Sequence, residues 1–174
     1  ASSAPPPSKW NIDELAAYLD TSIRNGSVSR GHEIFERQCA RCHKAGTAGN
    51  SVGPDLASVM RRLKGRELLE AMLDPSKVIP DQYRTIQIAT KSGEVIIGLL
   101  EREDDQAYTL RLAENTLRRI PKKIVESMQK SDQSIMPTGL LDDLPKEHIA
   151  DLWTFLESQS RRDTLPIDRE ERKK

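Results

Sequence analysis

Two cysteines three residues apart, followed at once by a histidine, are the residues of this chain best suited to chemistry: Cys39, Ala40, Arg41, Cys42, His43. No other cysteine occurs in the 174 residues. On one helical turn, thiols at i and i+3 face the same way and the adjacent imidazole can turn to a third atom. A porphyrin asks for that arrangement, with two sulfurs for the vinyl groups on one edge and a nitrogen for the iron. With three histidines in the chain, one follows Cys42 by accident only about once in sixty trials. A structural zinc ion would need four ligands; only His32 and His148 remain as nitrogen donors and no second cysteine pair exists. A thioredoxin-like redox pair needs a strand just ahead of it and, like a plain disulfide, has no use for the histidine. The spacing therefore predicts one haem c, bound covalently through Cys39 and Cys42, with His43 as a metal ligand.

A six-coordinate iron needs a second axial group, and Met60, Met72, Met128, Met136, His32 and His148 are the candidates. Met60 and Met72 fall in short helical pieces with apolar neighbours, where methionine is ordinary core. Met136 lies in SDQSIMPTG, a loop in which Pro137 fixes the backbone and helical packing makes no claim on the sulfur. It leads the candidates, with Met128, His32 and His148 behind it.

The elements that must hold these groups follow from periodicity. Residues 1–9 read as a Ser/Pro-rich tail or linker and 161–174 as a charged tail. Asn11 and Glu14 form a capping box for a leading helix, over 10–26, with Ile12, Leu15, Ala16, Leu19 and Ile23 on one face. A second helix is expected after Ser29, running through GHEIFERQCARCH. LASVMRRL and ELLEAML are short helical pieces, closed by Gly65 and by Asp74-Pro75. After Tyr83 the period becomes two: RTIQIAT, EVIIGLL, AYTLRL and LRRI predict three or four antiparallel strands. Helix is expected again over 122–128 and after Pro145, with Ile149, Leu152, Trp153 and Leu156 in one stripe. The chain reads as a single domain over 10–160: haem-attachment half 27–80, β insertion 81–121, Met loop and closing helix 122–160.

Bulk composition agrees. A hydrophobic content of 36% with two Phe, two Trp and three Tyr is lean, and a large flat apolar cofactor supplies the missing contact area. Lys plus Arg and Asp plus Glu are both 27, so no overall field draws the chain to nucleic acid or an anionic membrane. No apolar stretch approaches the roughly 18 residues of a membrane helix, so no membrane insertion is expected. There is no phosphate loop, metalloprotease pair or nucleophile elbow, and no candidate for side-chain catalysis.

GHEIFERQCARCH, VGPDL, DPSKVIP, KSGEVIIGLL, SIMPTGL and DLWTFL resemble the cytochrome c domain of planctomycete and verrucomicrobial type over most of residues 28–157. The resemblance implies a mainly α cytochrome c fold with a small antiparallel sheet inserted between the haem-attachment half and the Met-bearing half. It implies that Gly31 and Phe35 pack against the helix carrying Leu152, Trp153 and Leu156. By the same resemblance the Pro54 carbonyl accepts a hydrogen bond from His43, Leu56 lines the haem edge and Met136 is the distal ligand. Electron transfer is the implied activity, with no enzymatic step of the domain's own. Such domains resemble the C-terminal part of long chains, so the implied partners are an upstream dehydrogenase-like domain and a soluble carrier or oxidase. The implied compartment is the periplasm or another extracytoplasmic space, which requires a leader cleaved or upstream of the processed-looking ASSAPPP start.

Two rivals from other classes stand beside this reading. One is a haem enzyme or gas sensor whose distal ligand leaves readily; the other is a binding module that works through the sheet of residues 84–120. The basic runs Arg61, Arg62, Lys64, Arg66 and Arg118, Arg119, Lys122, Lys123 suit haem propionates or a redox partner, or a solvated face. Glu101, Glu103, Asp104 and Asp105 read as a hairpin loop kept in water.

Overall fold

The computed structural model describes residues 8–63 and 65–162. Most of both expected tails and Lys64 of the first basic run lie outside the described residues. The chain divides into two compact units, a helical unit of residues 15–65 and 144–162 and a sheet unit of residues 8–14 and 66–143. Each has its own logic.

The helical unit begins within α1 (Ile12–Ser22), whose Leu15 and Leu19 are buried. Asn11 caps that helix by accepting from the N–H groups of Asp13 and Glu14 at 2.9 and 3.1 Å, the cap half of the expected box. A short 3-10 turn leads to α2 (Val28–Gln38), whose N-cap is Ser27. The start falls two residues earlier than Ser29 suggested, because the Ser27 hydroxyl accepts from Arg30 N–H at 3.3 Å. The helix also ends sooner, at Gln38, so the cysteines follow it in a turn of their own. Two two-residue strands come next, β1 (Lys44–Ala45) and β2 (Ala48–Gly49), then α3 (Leu56–Arg62). The closing helix α5 (Lys146–Arg162) buries Ile149, Leu152, Trp153, Phe155 and Leu156.

α2 and α5 pack face to face. A Cβ on Gly31 would lie 2.0 Å from the Asp151 carbonyl oxygen, so only glycine permits this approach. Phe35 is fully buried and its ring sits 5.3 Å from that of Phe155. Asp151, 2% exposed, accepts from Ser27 N–H at 2.6 Å and from Arg30 Nε at 2.8 Å. Burial alone would raise its pKa, but the Arg30 guanidinium and the Ser27 N–H hold it below the usual range.

The sheet unit holds α4 (Gly65–Leu73), whose first residue, Gly65, falls in the helical unit; α3, which Gly65 was expected to close, ends earlier with Leu63 as its C-cap. Five antiparallel strands follow: β3 (Ile86–Thr90), β4 (Val95–Glu103), β5 (Ala107–Arg111), β6 (Leu117–Pro121) and β7 (Val125–Lys130). Their order is β6-β5-β4-β3-β7. The helix expected over 122–128 is instead a three-residue 3-10 turn, Lys122–Ile124, running into β7. Pairing with β3 overrides the local helical signal, Met128 lying opposite Ile88. The β insertion therefore runs past 121 to Lys130, and "mainly α" describes only the helical unit.

That topology dictates curvature. Consecutive strands β6 and β7 occupy opposite edges, which in a flat sheet would stand about 19 Å apart at about 4.8 Å per strand. The 3-10 turn between them advances only about 2 Å per residue, so the sheet must roll until its edges approach. The irregularity in β4 between Leu100 and Arg102 supplies a bend, and Lys91 N–H donates to the Ile124 carbonyl at 2.9 Å across the closing side. Ile88, Ile96, Leu110 and Ile120 form the core inside the roll.

Candidate haem-binding site

Four of the six expected site residues meet in the helical unit. Cys39 caps α2 at φ −121 and ψ −36, and its carbonyl accepts from Cys42 N–H at 3.1 Å and His43 N–H at 2.9 Å. One turn outside the helix therefore gathers both thiols and the imidazole. Asn50 N–H donates to the carbonyls of Ala40 and His43 at 3.0 and 3.1 Å, and its Nδ2 donates to Ala40 O at 2.9 Å. The N–H groups of Val52 and Gly53 donate to the Cys42 carbonyl at 3.0 and 2.7 Å. The turn is thus held by backbone bonds from the segment after β2.

That segment also orients the histidine. His43 Nδ1 lies 2.8 Å from the Pro54 carbonyl oxygen, which fixes Nδ1 as the protonated nitrogen and leaves Nε2 with its lone pair free to coordinate. A Cβ on Gly53 would lie 2.6 to 3.1 Å from Cε1, Nδ1 and Nε2 of the ring. Gly53 was not singled out in the sequence; its position beside Pro54 in VGPDL was the available signal. Burial lowers the His43 pKa against the opposing pull of the Pro54 bond, so the ring is neutral, the form a metal takes. Neither cysteine is in a disulfide, and both are half-buried. Burial, with Cys42 adding to it, pushes the Cys39 thiol up to about 12. Two unbridged thiols and a neutral imidazole with one nitrogen tied and the other available fit covalent haem c.

Leu56 is buried at the head of α3, which Asp55 caps by accepting from Ser58 N–H at 3.1 Å. Met136 belongs to the sheet unit, half-buried in an irregular loop, with its N–H on Ser134 Oγ at 3.1 Å. Of the other candidates, Met72 is buried in α4, Met60 half-buried in α3 and Met128 exposed on β7. His32 is exposed, its ring 5.1 Å from Phe155, and His148 is half-buried in the first turn of α5. Among the described residues no cluster of three His, Cys, Asp or Glu is placed to hold a metal ion.

The charged runs divide. Arg61 bonds to Ser160 O and Ser58 Oγ, and Arg66 to Asp13 at 2.5 Å. Arg118, Arg119 and Lys122 pair with Glu94, Asp104 and Glu103 at 2.8, 2.6 and 2.7 Å. Glu101 and Glu103 are strand residues rather than loop residues, and Glu101 pairs with Arg111. These four basic residues are thus paired with carboxylates of β4 and of its two flanking turns.

Residues 28–95 match the family described as Cytochrome c. The match spans α2, the cysteine turn, the Gly53-Pro54 segment and α3, and it supports a cytochrome c domain in this chain. No curated protein matches the sequence. A cytochrome c domain implies electron transfer by haem, with haem c bound covalently, and such domains are typically extracytoplasmic. Among the described residues no helix is long and apolar enough to cross a membrane.

Proposed function

We propose that this chain carries one haem c between His43 and Met136 and passes single electrons as a module of a larger redox protein. The observation that carries the reading is the His43 Nδ1 bond to the Pro54 carbonyl at 2.8 Å within the CARCH turn. It sets the tautomer, leaves the lone pair on Nε2 and raises the basicity of the ring as a ligand. Cys39 and Cys42 would supply the thioethers, and a methionine sulfur as second ligand would favour the reduced state and raise the potential. When bound, haem c supplies an iron that changes charge by one electron. The chain's own residues tie the imidazole through the Pro54 carbonyl, and Met136 would supply the second ligand, which would leave the iron no free position for a substrate.

The domain is a carrier and not an enzyme. Its partners are redox proteins, an upstream dehydrogenase-like domain as donor and a soluble carrier or oxidase as acceptor, in the periplasm or another extracytoplasmic compartment. The subtype is the planctomycete and verrucomicrobial one, since SIMPTGL and the sheet around KSGEVIIGLL lie between the attachment motif and the closing helix.

Optical spectra of the ferric and ferrous holoprotein, with and without carbon monoxide, test the reading. Wild type is expected to show the weak far-red ferric band of methionine ligation and to ignore carbon monoxide; Met136→Ala loses both traits. Ready carbon monoxide binding by wild type, with an identical Met136→Ala spectrum, would favour the enzyme or gas-sensor class instead.

A further inference from the structure

The loop that bears Met136 is gripped on both sides by residues from distant stretches of the sheet unit. Ahead of it, Ser131 N–H donates to the Thr85 carbonyl at 2.9 Å. The fully buried Thr85 hydroxyl donates to the Gln133 carbonyl at 2.7 Å. Next, Ser134 N–H donates to Ser76 Oγ at 3.1 Å, and Met136 N–H to Ser134 Oγ at 3.1 Å. Behind it, the Trp10 indole Nε1 donates to the carbonyl of buried Leu141 at 2.9 Å. Asp142 Oδ1 accepts from Ser8 Oγ at 2.5 Å and Lys9 N–H at 3.3 Å. A turn closes this end, Asp142 N–H on the Gly139 carbonyl at 2.9 Å with Gly139 at φ +77.

We infer that Ser76, Thr85 and Trp10 are positioning residues that hold the Met136 backbone in place so that its sulfur keeps its bond to iron. The inference rests on Met136 being the axial ligand. A methionine side chain has three flexible bonds and a weak donor atom, so its sulfur stays on a metal only if the main chain behind it is already ordered. Ordering a free loop costs roughly 1 to 2 kcal/mol per residue in backbone entropy. The six of these bonds that reach distant stretches offset part of that cost in the fold, before ligation. Trp10 is the informative member, because it sits beside the Ser/Pro-rich start, where the sequence suggested a linker without function.

The test uses the holoprotein in four variants: Trp10→Phe, which keeps the ring and removes the N–H; Ser76→Ala; Ser76→Thr, which restores the hydroxyl; and Asp104→Asn, which weakens the sheet away from the loop. Two quantities are read, the intensity of the far-red ferric band and the fraction of ferrous protein that binds carbon monoxide. Trp10→Phe and Ser76→Ala are each expected to raise the carbon-monoxide-binding fraction about fivefold, the equivalent of one lost hydrogen bond. Ser76→Thr and Asp104→Asn should match wild type. Should Ser76→Ala fail to accumulate, Trp10→Phe decides alone. Wild-type behaviour of Trp10→Phe and Ser76→Ala overturns the inference, as does an equal shift in Asp104→Asn. Met136→Ala separates the two levels: if it leaves band and carbon monoxide uptake unchanged, the ligand reading itself has failed.

Discussion

The helical unit and the sheet unit are stabilised by different means. In the first, large side chains with almost no exposure, Ile34, Phe35, Leu152 and Leu156, meet across two helices, and one buried carboxylate ties the N-terminus of α2. In the second, the five strands themselves close over a cluster of four buried aliphatic residues, and the surface of the sheet carries part-exposed ion pairs. Surface pairs are worth a few tenths to about 1 kcal/mol each, whereas a buried aromatic is worth several. Rigidity is thus concentrated where the cysteines and His43 must keep a fixed geometry. The sheet is set by register and by pairing of opposite charges.

Phe35→Ala should make the largest difference between the two, a loss of about 4 kcal/mol read as faster amide exchange in α2 and α5. An equal acceleration in β4 and β5 would break the comparison. Asp151→Asn comes next, at about 2 kcal/mol, because a buried carboxylate that accepts from both Ser27 N–H and the exposed Arg30 loses one acceptor and its charge; denaturant unfolding of the holoprotein measures it. A change below about 0.5 kcal/mol would mean that the carboxylate adds nothing beyond the helix contact.

The smallest effect belongs to the sheet. The Arg119 guanidinium, with the N–H groups of Gln106 and Ala107, holds Asp104 at about 2, below its usual 3.8. A depressed carboxylate contributes stability that is complete above the unfolded value and disappears as pH falls through the folded one. Acid unfolding of wild type should therefore steepen between pH 3.8 and about 2, and Asp104→Asn should flatten that interval. Identical profiles would show that the pair is only decorative.

Much of this was legible beforehand, for physical reasons that differ by region. CARCH states its chemistry by spacing alone, and the stripe Ile149, Leu152, Trp153, Leu156 declares the closing helix by period. RTIQIAT and EVIIGLL declare strands in the same way. The segment 122–128 misled because KKIVESM carries a helical pattern, while its β partner, Ile86–Thr90, lies more than thirty residues earlier; no local rule sees such a pairing. The roles of Gly53 and Asn50 were hidden because they act through close approach and main-chain bonds. Trp10 was hidden because its Leu141 partner is 131 positions away.

The acceptor that orients His43 is a main-chain oxygen, and inheritance treats it differently from a side chain. A codon change at position 54 that leaves the backbone path intact leaves the oxygen where it was. Inserting or deleting a codon between 43 and 54 shifts it, along with the N–H groups of Asn50, Val52 and Gly53 that grip the same turn. Over generations position 54 should therefore tolerate drift in spelling, Gly49 and Gly53 should not because a Cβ there would meet His43, and the stretch should resist any change in length.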